Sequence, residues 1–405
     1  MIGAGVLHAQ DAAPAPAPVT GGYDFQVEPQ PAEKTALESI HGKIPGFIVF
    51  ESNRGGAWHL YRMNSDGTDV RKLTTVKRAD TAEPTYAGIS PDGKTIAWEH
   101  RYNTQDAEIW LVNTDGTNER PLYAPAENPK TRANRPSWLP DGRLKFTRSG
   151  SMRKQGVWLY DFKKEDPKEL GFLDKMTGKD PAELPKNYQS WQEEQLVDFR
   201  DVKPKFQTKR VIVQDISPNL KEFVAWCKYP ARGVWWMSFD GLKQEKIHGG
   251  CSPRMMPDGK NFYWVLRAGK FAIGSMTEPM QSQLLFGGPY PEVYDHGYFP
   301  YLTPDYQWLV YSACPFNQHD QETANYQIFI IKMGADLKPV GTPTRLTFNG
   351  ATDRYPVMWY EGMTSPATPP VISGNAHQIY GGPDDPGPGE DEEAAEDAAK
   401  DDKQE

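Results

Sequence analysis

The sequence predicts an all-β fold, a six-bladed β-propeller of four-stranded blades, on three observations. A strand pair that opens near a proline and is often joined by Pro-Asp-Gly recurs six times along the 405 residues. An alternating apolar strand, frequently ending in Asp-Gly, follows the pairs. The first copy lacks its opening strand, and the last copy contains only that strand, which fits a ring that closes on itself.

The strand pair is plainest where Pro-Asp-Gly joins its two strands. Residues 84–93 read PTYAGISPDG and precede the apolar run 95–98, and residues 136–142 read PSWLPDG and precede 144–147. Short apolar runs separated by Asp-Gly are typical of antiparallel strands, because glycine adopts the positive φ of a tight turn and aspartate bonds its own backbone. The other four copies open at Val213, Pro253, Pro300 and Pro356.

The next strand of each blade alternates apolar and polar residues, as a half-buried strand does. The six examples lie at 59–63, 109–112, 157–160, 234–237, 271–273 and 328–331. A short final strand follows, such as 71–75 or 344–348. Four strands per unit make one blade, and blades stack around an axis because one blade cannot bury both of its faces.

The spacing of the turns indicates one insertion. The turn prolines are Pro91, Pro140, Pro218, Pro257 and Pro304. The gaps between them are 49, 78, 39 and 47 residues, against about 40–45 residues for a propeller blade. The long gap predicts an insert at about 172–205, within which we predict a short helix at 190–197.

The ends of the repeat predict how the ring closes. The propeller should span residues 46–361, with the strand at 355–359 completing the first blade. Closure of this kind removes exposed sheet edges, which otherwise promote aggregation.

The segments outside the repeat suggest export. Residues 1–9 are short and apolar and end in Ala9, like the remnant of a signal peptide, and residues 10–45 form an Ala/Pro-rich linker and N-terminal segment. No run approaches the roughly 18 apolar residues of a membrane helix, so an integral membrane protein is not expected. We predict a periplasmic or otherwise exported protein.

The net charge of −9 resides in the C-terminal tail. Residues 384–405 contain eleven acidic residues and two lysines, which leaves a neutral propeller. A neutral body does not fit a nucleic-acid-binding protein. Few apolar residues and many charges predict that the tail, 362–405, is disordered.

The repeat resembles that of TolB-like propellers. The similarity is carried by Glu83-Pro84, by ISPDGKTIAW at 89–98, by IWLVNTDG at 109–116, and by the closing RLTF at 345–348 and DRYP at 353–356. The resemblance covers about residues 46–361. It implies a six-bladed propeller and a periplasmic scaffold that binds a protein or peptide of the cell envelope.

Loops before the inner strands and after the second strands of a propeller lie on one face, near the channel. Arginine is common in such positions here and suits recognition of carboxylates. The predicted binding face comprises Glu83, Arg101, Arg135, Arg148, Arg232, Arg254, His296, His319 and Arg354. Several of these arginines could instead pair with neighbouring acidic residues.

A propeller enzyme is the alternative. His296, His319 and Asp320 fall in loops of the same face and offer ligands suited to Zn²⁺ or Mn²⁺, as in a metal-dependent lyase or hydrolase. No G-x-S-x-G elbow, P-loop or dinucleotide fingerprint is present in the sequence. The sequence favours a binding protein without a cofactor, and it leaves the oligomeric state and the pairing of Cys227, Cys251 and Cys314 open.

Overall fold

The structure is a computed structural model of the 405-residue chain. The residues it describes are 26–75, 86–101, 107–122, 131–150, 156–164, 193–198, 209–229, 232–267, 269–277, 280–288, 294–315, 320–321 and 323–374. They form six antiparallel blades of four strands. No helix within these ranges has the length and apolar character needed to cross a bilayer. The predicted six-bladed propeller is confirmed.

Blade 1 joins the two ends of the propeller. Its strands, in order from the axis outward, are β24 (Asp353–Trp359), β1 (Phe47–Ser52), β2 (His59–Asn64) and β3 (Arg71–Lys72). In the ladder, Phe47 lies opposite Trp359 and Ile48 opposite Met358. The C-terminal strand therefore completes the first blade, as predicted.

Blades 2 and 3 are linked into one sheet by a parallel bridge between Ala107 and Arg132. Blade 2 contains β4 (Gly88–Ile89), β5 (Thr95–Arg101), β6 (Ala107–Asn113) and β7 (Arg120–Pro121). Blade 3 contains β8 (Thr131–Trp138), β9 (Leu144–Gly150), β10 (Gly156–Tyr160) and β11 (Glu193–Asp198). A short 3-10 helix, Phe162–Lys164, follows β10.

The prediction of a helix at 190–197 is wrong. Residues 193–198 form β11, which pairs antiparallel with β10 and is the outermost strand of blade 3. Pairing with an open strand edge outweighed the local preference of a polar segment, as tertiary context often does. The rest of the predicted insert, about 172–205, lies outside the described residues.

Blades 4 to 6 follow without interruption of the pattern. Blade 4 contains β12 (Lys209–Ile216), β13 (Glu222–Tyr229), β14 (Gly233–Ser238) and β15 (Gln244–His248). Blade 5 contains β16 (Cys251–Met255), β17 (Asn261–Arg267), β18 (Lys270–Ser275) and β19 (Ser282–Phe286). Blade 6 contains β20 (His296–Leu302), β21 (Trp308–Cys314), β22 (Gln327–Met333) and β23 (Pro339–Arg345).

The hydrophobic core lies mainly between neighbouring blades. Val49 and Trp98 share one cluster between blades 1 and 2, and Phe271 and Tyr311 share another between blades 5 and 6. Between blades 3 and 4, Val157 is the single blade 3 side chain, among described residues, in the buried cluster. The other members of that cluster belong to blade 4.

Two segments that lie outside the four-stranded blades, one before β1 and one after β24, pack against the blades. Helix α1 (Pro31–Ile40) starts at a proline and is fixed by an ion pair of 3.4 Å between Glu33 and Arg345. At the other end, residues 360–374 do not match the predicted disorder from residue 362. Ile372 is buried in the cluster between blades 5 and 6, and the Ser282 amide donates to the Gly374 carbonyl. Residues 375–405 lie outside the described residues.

Candidate functional site

A β-bulge interrupts five of the six inner strands at the same height. In β8, β16, β20 and β24, two residues oppose one residue of the neighbouring strand, and in β12 one residue is extra. Four bulge residues and Tyr86, which precedes β4, adopt positive φ between 46° and 56°. Positive φ is uncommon for residues other than glycine. Its repetition therefore marks a backbone conformation that the inner strands share and that turns these side chains toward the axis. We call the following set the bulge ring: Tyr86, Arg135, Gln214, Ser252, Phe299 and Tyr355.

Aromatic contacts join the bulge ring on one side of the axis. The ring centroids of Phe299 and Tyr355 lie 4.1 Å apart, and those of Tyr355 and Tyr86 lie 5.5 Å apart in an edge-to-face arrangement. Burial raises the pKa of Tyr355 well above its ordinary value, so its hydroxyl stays neutral. The aromatic half of the ring therefore comes from blades 6, 1 and 2.

Arg135 begins the polar half of the bulge ring. Its guanidinium carbon lies 4.3 Å from the centroid of the Tyr86 ring, and Nη2 donates to the Tyr86 hydroxyl at 3.1 Å. Nη1 donates to Oε1 of Gln214 in blade 4. These contacts fix the orientation of a half-buried cation at the centre of the propeller, which is the requirement for directed recognition of an anion.

A cavity of about 490 Å³ lies on the axis and is lined by residues of all six inner strands. It extends from the bulge ring to the turns that end the inner strands, where Pro91 and Pro304 line it. Met363 and Ser365, in the segment after β24, line it at that end. Its volume falls in the range of small-molecule sites, roughly 300–1,000 Å³.

Arg254 places a second cation in the cavity wall. It lies opposite Tyr263 in the ladder between β16 and β17 and bonds the phenol of that residue, whose pKa is raised to about 12, chiefly by burial. Asp215, the acidic residue of the wall, accepts from Nζ of Lys145 at 2.9 Å and from the Met255 amide at 3.0 Å. The ion pairs of the described residues include neither Arg135 nor Arg254. The cavity therefore has an uncompensated positive side.

Two arginines of the predicted binding face are fully buried instead. Nη2 of Arg101 lies 2.5 Å from the Glu99 carboxylate, and Nε of Arg354 donates to Glu51 at 3.2 Å, with all four side chains inaccessible to solvent. The Arg354 guanidinium also lies 3.9 Å from the centroid of the Trp58 ring. These two residues are structural ion-pair partners, because a buried guanidinium requires a counter-charge.

The other predicted positions divide between the cavity and its surroundings. Arg148 stacks on Trp158 at 4.3 Å, and Arg232 lies 5.6 Å from the Trp226 ring centroid. Arg135 and Arg254 line the cavity, as described above. Glu83 and His319 lie outside the described residues, so their assignment to the face stays a prediction.

The metal site also stays a prediction, since His319 is not described. His296 is buried and stacks on Tyr298, with ring centroids 5.4 Å apart. Asp320 accepts from the backbone amide of Thr323 at 2.9 Å, within a turn. No group of three or more histidine, cysteine or acidic side chains able to hold a metal occurs in the described ranges.

All three cysteines are thiols outside any disulfide, and burial raises the pKa of Cys314 to about 12.

Sequence reasoning missed the aromatic members of the bulge ring, although a signal was present. Arg135, Ser252, Phe299 and Tyr355 each precede a proline in the sequence. Proline lacks the amide that a regular ladder needs, so a proline in an inner strand indicates a bulge. The sequence pattern predicts a strand start at each of these prolines, whereas the inner strands begin before them.

Comparison with known proteins finds similar folds only. No family model and no curated protein matches the chain. Similar solved structures include TolB from Acinetobacter baumannii, with 15% identity and a TM-score of 0.44 over 77% of this chain and 66% of that one. A putative TolB from Agrobacterium tumefaciens has 12% identity and a TM-score of 0.41, over 78% of this chain and 99% of that one.

A periplasmic gluconolactonase from Pseudomonas aeruginosa is also similar, with 12% identity and a TM-score of 0.36 over 72% of this chain and 79% of that one. Similarities this distant do not separate a binding protein from an enzyme, because one fold supports many functions. By its sheet topology the chain is a six-bladed β-propeller, and its repeat resembles that of TolB-like propellers.

Proposed function

We propose that this protein is an exported binding scaffold of the bacterial cell envelope, and that it holds part of a protein partner in the axial cavity. The observation that carries the proposal is the pair of half-buried arginines, Arg135 and Arg254, which face the cavity outside any described ion pair. A buried cation attracts an anion strongly because solvent screens it little. Location in the envelope is supported by the apolar, Ala/Pro-rich start of the chain.

The binding role is favoured over the enzyme because the cavity wall offers recognition groups. Two guanidinium groups, an amide, several hydroxyl groups and several aromatic rings line it, and its acidic residue, Asp215, is engaged by Lys145. Such a wall can orient an anionic group. A metal-dependent reaction at His296, His319 and Asp320 would be supported by bound transition metal and by loss of turnover in His319→Ala.

Affinity capture from the native envelope fraction tests the proposal. The full chain, an Arg135→Gln/Arg254→Gln double variant and an Arg143→Gln control are immobilised in parallel. Arg143 is a suitable control because it pairs with Asp141 at 2.7 Å in an exposed turn. We expect one envelope protein to be retained by the wild type and the control and lost by the double variant.

The result is interpretable only if the double variant is folded, which circular dichroism checks. Equal capture of the same protein by the double variant would contradict the role of the cavity. Absence of any specific envelope protein from the wild-type sample would contradict the scaffold function itself.

A further inference from the structure

The two sides of the axial cavity differ in chemistry. The polar side is formed by blades 3, 4 and 5, which supply Arg135, Gln214, Ser252 and Arg254 together with Asp215, whose carboxylate is bound by Lys145. The aromatic side is formed by blades 6, 1 and 2, which supply Phe299, Tyr301, Tyr355, Tyr86 and Trp359 and, among the described lining residues, no charged group. Trp138 of blade 3 and Tyr263 of blade 5 add two further rings beside the arginines. A ligand that satisfies both sides must itself have an apolar end and an anionic end.

We propose that the cavity binds a carboxylate carried on an aromatic or similarly flat apolar group, with the carboxylate at Arg254 and Arg135 and the ring against the aromatic side. This inference rests on the cavity of the proposed function and names the ligand chemistry that it recognises. Two sources present that chemistry: a free small acid, and the C-terminal residue of a polypeptide.

The guanidinium groups favour a carboxylate at the polar side. Arg135 is already oriented by Tyr86 and Gln214, so little side-chain freedom is lost when it binds. The charge of Asp215 does not cancel this attraction, because Lys145 and two backbone amides, those of Ile216 and Met255, bind its oxygens. A carboxylate can accept bidentate hydrogen bonds from arginine, whereas a neutral amide lacks both the charge and the second acceptor.

The bulge ring favours a chain end or a free acid over an internal segment. The contacts from Phe299 through Tyr355 and Tyr86 to Arg135 and Gln214 run across five blades at one height. Side chains in mutual contact therefore lie around the channel at that height, and the proposal requires a ligand to enter from the side of the inner-strand turns, past Met363 and Ser365. A chain end fits a cavity narrowed at one end, whereas an internal segment must place two chain arms in it.

Titration calorimetry with defined probes tests the inference. The probes are 3-phenylpropanoate, its neutral amide 3-phenylpropanamide, inorganic phosphate, and the peptide Ala-Ala-Ala-Phe as free acid and as C-terminal amide. We expect saturable binding of the phenyl carboxylates, and binding at least about tenfold weaker for each amide, since the amide lacks the charge that the guanidinium groups recognise. Tighter binding of the peptide acid than of 3-phenylpropanoate identifies a polypeptide C-terminus as the source, and the reverse order identifies a small acid.

Variants locate the site. Arg254→Gln should weaken binding of the preferred carboxylate by about tenfold or more, whereas Arg143→Gln should leave it unchanged. Arg254→Lys keeps the charge without the planar fork and should give an intermediate affinity. Thermal melts establish that each variant is folded.

Three outcomes would overturn the inference: no saturable binding of either phenyl carboxylate up to about 5 mM, equal binding of acids and amides, or phosphate binding as tight as that of the carboxylates. Unchanged affinity in Arg254→Gln would also overturn it. Loss of probe binding in Arg254→Gln together with unchanged capture of an envelope partner would leave the ligand site standing and contradict the proposed docking of the partner in the cavity.

Discussion

Arginine has two opposite roles in this propeller, and burial together with a counter-charge separates them. Arg354 and Arg101 are inaccessible and paired with Glu51 and Glu99. Arg135 and Arg254 are half-buried and face the cavity. The Arg354–Glu51 pair links the neighbouring strands β24 and β1, and the Arg101–Glu99 pair lies within β5. Arg135 and Arg254, in contrast, retain a charge that a ligand can neutralise.

The structural role of Arg354 predicts a large loss of stability on its removal. Arg354→Met should lower the free energy of unfolding by about 3–5 kcal/mol, because the buried carboxylate of Glu51 loses the cation that pairs with it. Arg143→Met, which breaks an exposed pair with Asp141, should cost less than about 1 kcal/mol. Urea unfolding followed by tryptophan fluorescence measures both values.

A loss for Arg354→Met as small as that of the control would show that the pair is not structural. The double variant Glu51→Gln/Arg354→Met should recover part of the loss, because it removes the uncompensated charge. This outcome separates the ion pair from simple loss of packing on Trp58.

At the scale of strands and turns, much of the fold was predictable because the relevant signals are local. The Pro-Asp-Gly turns around Gly93 and Gly142 punctuate the sequence at the ends of inner strands. The bulge ring was not predicted, although a proline follows Phe299 and Tyr355, because that proline marks a bulge only once the pairing of whole strands places it inside an inner strand. Strand β11 was missed for the same reason, because its pairing with β10 depends on an edge far away in the sequence.

Gly93 is a turn residue of blade 2 that packs directly against the ring-closing strand β24. Its φ is +71°, and an added Cβ would overlap the indole of Trp359, whose Nε1 donates to the Pro91 carbonyl at 3.1 Å. Gly142 occupies the matching turn of blade 3, with φ +87° and nothing within 4 Å of an added Cβ. The two glycines thus share a positive φ, which would strain any residue with a side chain, and they differ in packing.

Gly142→Ala should therefore cost about 1–2 kcal/mol, the usual penalty for a side chain at positive φ. Gly93→Ala should cost more, because the Trp359 indole must also move and its hydrogen bond to Pro91 is strained. Thermal unfolding of the two variants gives the comparison. Equal losses would mean that Trp359 contributes nothing to holding blade 1 against blade 2.

For the whole molecule, stability depends on completing the ring. Each described seam buries side chains from two blades, and β24 joins blade 1 to the other end of the chain. The inner strands also support the cavity, because β24 supplies Tyr355 to the bulge ring and Trp359 to the wall. Closure and the binding site therefore depend on the same strand.

Two truncations test this dependence. A chain ending at Thr352 lacks β24, so blade 1 keeps three strands, β1 is left as an exposed edge, and the cavity loses one side. We expect it to show no cooperative thermal transition and to elute as aggregates in size-exclusion chromatography. A chain ending at Gly374 keeps β24 and the anchoring contacts of Ile372 and Gly374. Its melting temperature should lie within a few degrees of that of the full chain. A loss of about 1 kcal/mol shifts the melting temperature by roughly 2–4 °C in proteins somewhat smaller than this one. If the chain ending at Thr352 is monomeric and unfolds cooperatively, five complete blades and a three-stranded blade 1 are sufficient for a stable fold. The C-terminal strand would then serve the cavity rather than the fold.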